Sequence, residues 1–206
     1  TRNMARIVIG HGYTNTRPVG HWLRTLATSQ RAAGHQVFYP QFPSPEAPKV
    51  EAWQNLLIAE TELAAEIAQH RTDAPADELI YVGHSLGSVN WLLAAGRGAL
   101  PAKFDRVLLV APADPKLLEL IPGYELELDA PQFVANVHAA TSSLTLLGSD
   151  SDPWSPRGIQ ETFGEPLGLT ARIFEGAKHF SKDDGFGPWQ GVLDWVADPS
   201  ADLTIR

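Results

Sequence analysis

The chain of 206 residues contains no cysteine and only one methionine, Met4. Without thiols there is no disulfide framework, no cysteine nucleophile and no Cys-ligated zinc or iron–sulfur cluster. Positive charge is scarce too: 16 Lys and Arg stand against 24 Asp and Glu, a net charge of −8. No Lys/Arg cluster exists that could neutralise a phosphate backbone, which argues against a nucleic-acid partner. A run of about 18 uncharged apolar residues, the minimum for a membrane span, is also missing, so no membrane association is expected. The first residues lead into Ile7 and Val8 without the apolar core and cleavage site of a secretory signal. Residues 1–3, ahead of Met4, are expected to be a non-native leader, and the chain a cytoplasmic protein. No H-E-x-x-H or other metal-ligand spacing is found, and Gly10-His11-Gly12 lacks the third glycine of a dinucleotide fingerprint. Neither a metal nor a cofactor is expected.

What the chain does contain is a regular alternation. Short apolar runs at 6–9, 36–39, 79–82, 106–110, 144–147 and 171–174 are rich in Val, Ile, Leu and aromatics. Their apolarity is continuous rather than alternating, the pattern of strands buried on both faces. Between them, residues 19–33, 50–70, 88–96, 156–163 and 188–196 carry helical periodicity. In the second of these, Trp53, Leu56, Leu57, Glu60, Leu63, Ala64 and Ile67 recur at threes and fours, an apolar stripe. Strand–helix alternation predicts six parallel strands covered by helices on both sides, an α/β/α sandwich, as a single domain over 1–206. Residues 113–137 break the pattern with three prolines and no period. They are expected to form a short irregular excursion over the carboxyl edge of the sheet, where α/β proteins bind ligands.

The most informative motif is Gly83-His84-Ser85-Leu86-Gly87, directly after the run at 79–82 and before a helical segment. G-x-S-x-G in that context is a nucleophile turn: glycines on either side let the chain double back and leave the serine hydroxyl exposed. A serine needs a base held by an acid. Of the two histidines that follow Ser85, His179 lies just past the last strand, where it can lean over the nucleophile, whereas His138 precedes a strand. The acid should follow the preceding strand, in Gly148-Ser149-Asp150-Ser151-Asp152-Pro153-Trp154. Asp152 is preferred because Pro153 restricts its backbone. Asp150 and, one strand earlier, Asp114 remain alternatives. The oxyanion donors are expected to be the amides of Leu86 and of Tyr13, the latter in the His11-Gly12-Tyr13 loop. Trp154 and Trp22 are candidates for the pocket wall, while Trp53, Trp91 and Trp195 read as packing residues.

These motifs together resemble the α/β-hydrolase superfamily. The short chain and the Asp-Pro-aromatic loop are similar to the small serine hydrolase family that includes retinoblastoma-binding protein nine. The resemblance implies a minimal core of strand order 2-1-3-4-5-6 without a separate cap domain, and it carries the nucleophile onto Ser85, the acid onto Asp152 and the base onto His179. The expected activity is cofactor-independent hydrolysis of a small-molecule ester, with amide and aminoacyl esters open to the same chemistry. With so short an excursion over the site, a shallow pocket and short acyl chains are expected. A protein-binding module with a vestigial site, or an acyltransferase, are the alternatives, since fold does not fix function and a protein partner is compatible with it.

Overall fold

The computed structural model describes residues 4–69 and 77–206. Residues 1–3, and residue 70 as the expected end of the second helix, lie outside them. Six strands form one sheet in the order β2-β1-β3-β4-β5-β6, with every neighbouring pair parallel. They are β1 (Ala5–Gly10), β2 (Gln36–Phe38), β3 (Glu78–His84), β4 (Arg106–Val110), β5 (Leu144–Ser149) and β6 (Arg172–Phe174). The three strands named first in the middle of that order, β1, β3 and β4, are almost wholly buried, as their uninterrupted apolar runs require.

Helices cover both faces. On one, α2 (Val50–Gln69), α3 (Leu86–Gly96) and α4 (Pro131–Ala139) contribute Trp53, Trp91 and Phe133 to a core with Tyr81 and Phe104. On the other, α1 (Trp22–Ala32) and α6 (Gln190–Ala197) bring Trp22 and Trp195 onto Ile7, Ile9 and Val82. Arg106 of β4 joins sheet and helix: it pairs with Glu78 at 2.8 Å and donates to the carbonyls of Trp195 and Val196. The apolar stripe of α2 is narrower than its spacing suggested. Trp53, Leu57, Thr61 and Ala64 are buried, but Leu63 faces solvent.

Three boundaries differ from the periodicity. Helix α1 starts at Trp22 rather than at residue 19, because His21 caps it by accepting the Leu23 N–H at 3.1 Å. The helical segment expected at 156–163 begins later, with a π-turn at Gln160–Gly164 running into the short α5 (Glu165–Leu167), since 155–158 close a separate turn. The excursion at 113–137 is not irregular throughout. It holds a 3₁₀ turn at Leu117–Leu120, and α4 begins within it, with Pro131 at the first helical position. Proline there fits a helix start, because its missing N–H would have no partner anyway.

The sheet's carboxyl edge depends on a backbone crossing between β1 and α3. A Cβ on Gly87 would run into the carbonyl of Gly10 and come within 2.7 Å of that of His11. Both obstacles are backbone and cannot swing aside. Gly87→Ala should therefore lower stability by about 1–3 kcal/mol, as overpacking does, read as a lower urea midpoint with an unchanged slope.

Candidate active site

Ser85 sits between β3 and α3 with φ 54° and ψ −120°, a region that non-glycine residues rarely occupy. Such a conformation costs about 1–3 kcal/mol and must be imposed by its surroundings. The Ser85 N–H donates to the Val110 carbonyl at 2.8 Å, continuing the sheet ladder one residue past β3. The chain then turns into α3, which leaves the hydroxyl at the carboxyl edge.

Ser85 Oγ lies 2.9 Å from His179 Nε2, and His179 Nδ1 lies 3.0 and 2.9 Å from the two carboxylate oxygens of Asp152. A carboxylate only accepts, so Nδ1 carries the hydrogen, and Nε2 is free to accept the serine proton. Asp152 is almost completely buried, and its Oδ1 also accepts the Trp154 N–H at 2.9 Å. That turn aims the carboxylate at His179. Asp150, two residues away, is exposed and accepts the Gly176 N–H instead. Asp114 is committed elsewhere: its hydrogen bonds with Arg157, one of them 2.8 Å long, hold its carboxyl below the usual carboxylate range. The structure thus brings Ser85, His179 and Asp152 together and leaves both alternative acids apart.

The loop carrying His179 is itself strained. Lys178 and Phe180, on either side, have φ of 50° and 56°. Side chains of remote elements hold it, together with Asp184 of the same loop. The Lys178 N–H donates to Ser151 Oγ, and the His179 N–H to Asp184 Oδ2 at 3.1 Å. The His179 carbonyl accepts from His84 Nε2 at 2.8 Å, and the Phe180 carbonyl from Trp22 Nε1 at 3.1 Å. Trp22 is therefore not a pocket residue, as its position beside the Tyr13 loop had suggested. Its ring is 1% exposed and packs edge-on against Trp189, behind the loop. Asp184 escaped the sequence reading, because nothing local distinguishes it from Asp183. Burial works against its ionisation, but hydrogen bonds from Ser181 and His179 outweigh that and keep its carboxyl below the ordinary range.

Facing Ser85, the loop after β1 passes so close that a Cβ on Gly12 would stand 3.0 Å from that of Ser85 and 3.4 Å from the Leu86 nitrogen. Tyr13 follows, half exposed, at the edge of the cleft. Among the described residues neither the Leu86 nor the Tyr13 amide has a hydrogen-bond partner. His11 fixes this loop: its Nδ1–H donates to the Gly12 carbonyl at 3.0 Å and its Nε2 accepts the Phe42 N–H at 2.8 Å.

Above the serine opens a cleft of about 790 Å³, larger than the shallow pocket expected. Trp154 lines it, as do Ala113, Leu117 and Ile121 of the segment after β4, and Ser181 and Lys182 of the segment after His179.

Three histidines around the site are kept neutral. Burial lowers His11 and His21 from the ordinary 6.5 to about 4. His84 is pushed well below its ordinary value by burial, with His179 and His21 adding to the effect. Below pH 6.5 the unfolded chain takes up protons at His11 and His21 that the folded protein refuses until about pH 4. Stability is thus complete above that window and falls as pH drops through it, by up to about 3 kcal/mol per histidine. Urea midpoints measured from pH 7 to pH 4 should decline steeply, and His21→Asn, which can still cap α1, should make the decline shallower.

A family model for serine hydrolases matches residues 7–198. No curated protein sequence matches the chain. Among solved structures, the ydeN gene product of B. subtilis superposes with a TM-score of 0.74 at 19% identity, covering 94% of this chain and 97% of that one. A structure described under LipS and LipT, metagenome-derived lipolytic enzymes, gives a TM-score of 0.60 at 18% identity, with 86% of each chain covered. Est1E from Butyrivibrio proteoclasticus gives 0.57 at 14% identity, over 96% of this chain and 86% of its own. At these identities the structural likeness speaks for the α/β-hydrolase fold. The family match extends from β1 past α6 and so takes in the elbow, the acid loop and the histidine loop: the chain belongs to the serine hydrolase family.

Proposed function

We propose that this hydrolase cleaves carboxylic esters through an acyl-enzyme on Ser85, with His179 as general base and acid and Asp152 as its orienting carboxylate. The observation that carries this reading is the continuous hydrogen-bond chain from Ser85 Oγ through His179 to Asp152, at 2.9 Å at each end. In the first half-reaction Ser85 Oγ attacks the ester carbonyl carbon while its proton passes to His179 Nε2. The carbonyl oxygen becomes an anion that the unpartnered amides of Leu86 and Tyr13 would receive, an interaction worth about 2.7–4 kcal/mol per donor in the transition state. Collapse breaks the bond to the alkoxy oxygen, which leaves as an alcohol with the proton from His179. In the second half-reaction water attacks the acyl carbon, His179 takes its proton, and the acid departs with Ser85 restored. Asp152 stays ionised throughout, holding the imidazole's tautomer and stabilising its cation. Amides and aminoacyl esters present the same carbonyl to the same groups.

A fluorophosphonate probe tests the nucleophile. It should modify the peptide containing Ser85 and no other, and Ser85→Ala should abolish both labelling and ester turnover; a well-folded protein that stays unlabelled would contradict the reading. Asp152→Asn should reduce kcat by about 10⁴-fold, as loss of the correct histidine tautomer does, while Asp150→Asn stays within a few-fold of wild type. Asp184→Ala removes the tether on the His179 backbone. It should lower kcat by about tenfold or more with little change in KM, since misplacing a catalytic group by an ångström costs up to about 10²-fold.

A further inference from the structure

The two walls of the cleft differ in chemistry. Besides residues of the loop after β1 and residues 46–48, one part of the lining comes from the segment after β4, with Ala113, Leu117, Leu118 and Ile121. The other, built by the segment after His179, presents Ser181, Lys182 and Asp183. Resting on the ester-hydrolase reading above, we infer that the apolar wall is the acyl site and that the acyl group is an unbranched apolar chain of medium length, hexanoyl to decanoyl.

The reaction assigns the sides. The leaving oxygen must take its proton from His179 Nε2, so the alcohol part of the ester lies against His179 and the residues that follow it. Ala113 and Leu118 pack into the core on the α2–α3–α4 face of the sheet, whereas Phe180 and Phe186 pack into that on the α1–α6 face, so the acyl chain, on the other side of the reacting carbon, runs along the segment after β4. The size of the site agrees. A cleft of about 790 Å³ falls in the upper part of the range that encloses drug-sized ligands, and an acetyl group would leave Leu117 and Ile121 facing water. At the mouth, Leu120 is 74% exposed, a large apolar side chain placed where a longer chain would emerge.

The wall is also formed in advance, which favours binding because little ordering remains to be done. Leu118 is anchored in the core. The Asp114 N–H donates to the Trp154 carbonyl at 2.8 Å, and its carboxylate pairs with Arg157, so the segment is pinned to the loop that carries Asp152. The brevity of this segment leads the sequence to suggest short acyl chains, whereas the apolar lining it supplies favours longer ones. A short segment whose one 3₁₀ turn lines the cleft makes a wall without needing a cap domain.

The test is a series of p-nitrophenyl esters from acetyl to dodecanoyl, each below its aggregation limit, with the fluorophosphonate probe run in parallel. Each methylene buried on the wall should raise kcat/KM by about two- to fourfold, so octanoyl should exceed acetyl by more than tenfold. Leu117→Asp and the solvent-facing Leu120→Asp, both checked for fold by circular dichroism, should cut the octanoyl-to-acetyl ratio about tenfold or more. A ratio that is flat or falls with chain length in a wild-type protein whose Ser85 is labelled would overturn the acyl assignment and leave the hydrolase reading intact. So would a rising ratio that both variants leave unchanged. Failure of folded wild type to label or to turn over any ester would overturn both.

Discussion

Ser85 is held at φ 54° and ψ −120°, and the rest of the site is arranged around what holds it there. The hold is made of backbone. On one side the serine amide is pinned to Val110; on the other, α3 leaves the sheet at a crossing with β1 so tight that Gly87 can have no side chain. Because β1, β3 and β4 are central and buried, the strain is carried by the most stable part of the molecule rather than by a loop that could relax. The same crossing brings Gly12 against the serine, so one packing arrangement sets both Ser85 and the loop opposite it.

The histidine loop is restrained by different means. Its left-handed residues at 178 and 180 are not forced by a sheet but held by hydrogen bonds from elements far apart in sequence: Trp22 in α1, His84 in β3 and Ser151 beside Asp152. Behind it, Phe180 stacks on Trp189 with ring centroids 5.5 Å apart, and Trp22 meets Trp189 at 4.9 Å. Such a cluster of large rings has few ways to repack, which suits a loop that must present one imidazole to within hydrogen-bond reach of two partners. Neutral histidines serve this arrangement because each can donate with one nitrogen and accept with the other. His11 does so between Gly12 and Phe42, whereas a protonated ring would set an N–H against the Phe42 N–H.

Polar residues of the site thus fall into two groups by what they touch. Ser85, His179 and Asp152 form a chain that can move a proton. His11, His84, Asp114 and Asp184 are spent on backbone groups and on Arg157, and shape the cleft without facing it as reacting atoms. Charge in the second group stays paired or suppressed, which is the condition for burying it.

Much of this was legible in the chain itself, because it rests on short-range rules. Buried parallel strands show as unbroken apolar runs, the elbow is a five-residue pattern between a strand and a helix, and the order of serine, acid and base follows from which strand each loop succeeds. Side-chain direction does not follow from such rules. Asp150 and Asp152 stand two residues apart in one loop, and only the fold turns the second onto His179 and the first onto Gly176. Trp22 lies near the site in sequence terms yet points into the core, because α1 packs on the face of the sheet opposite α3. The ion pair that occupies Asp114 and the meeting of apolar and polar segments in the cleft are likewise long-range. Local sequence determined the elements and the candidate reacting groups, since backbone preference and spacing act over a few residues; tertiary packing alone decided which distant neighbours hold those groups in place, since contacts between distant segments exist only once the sheet and its helices have closed on each other.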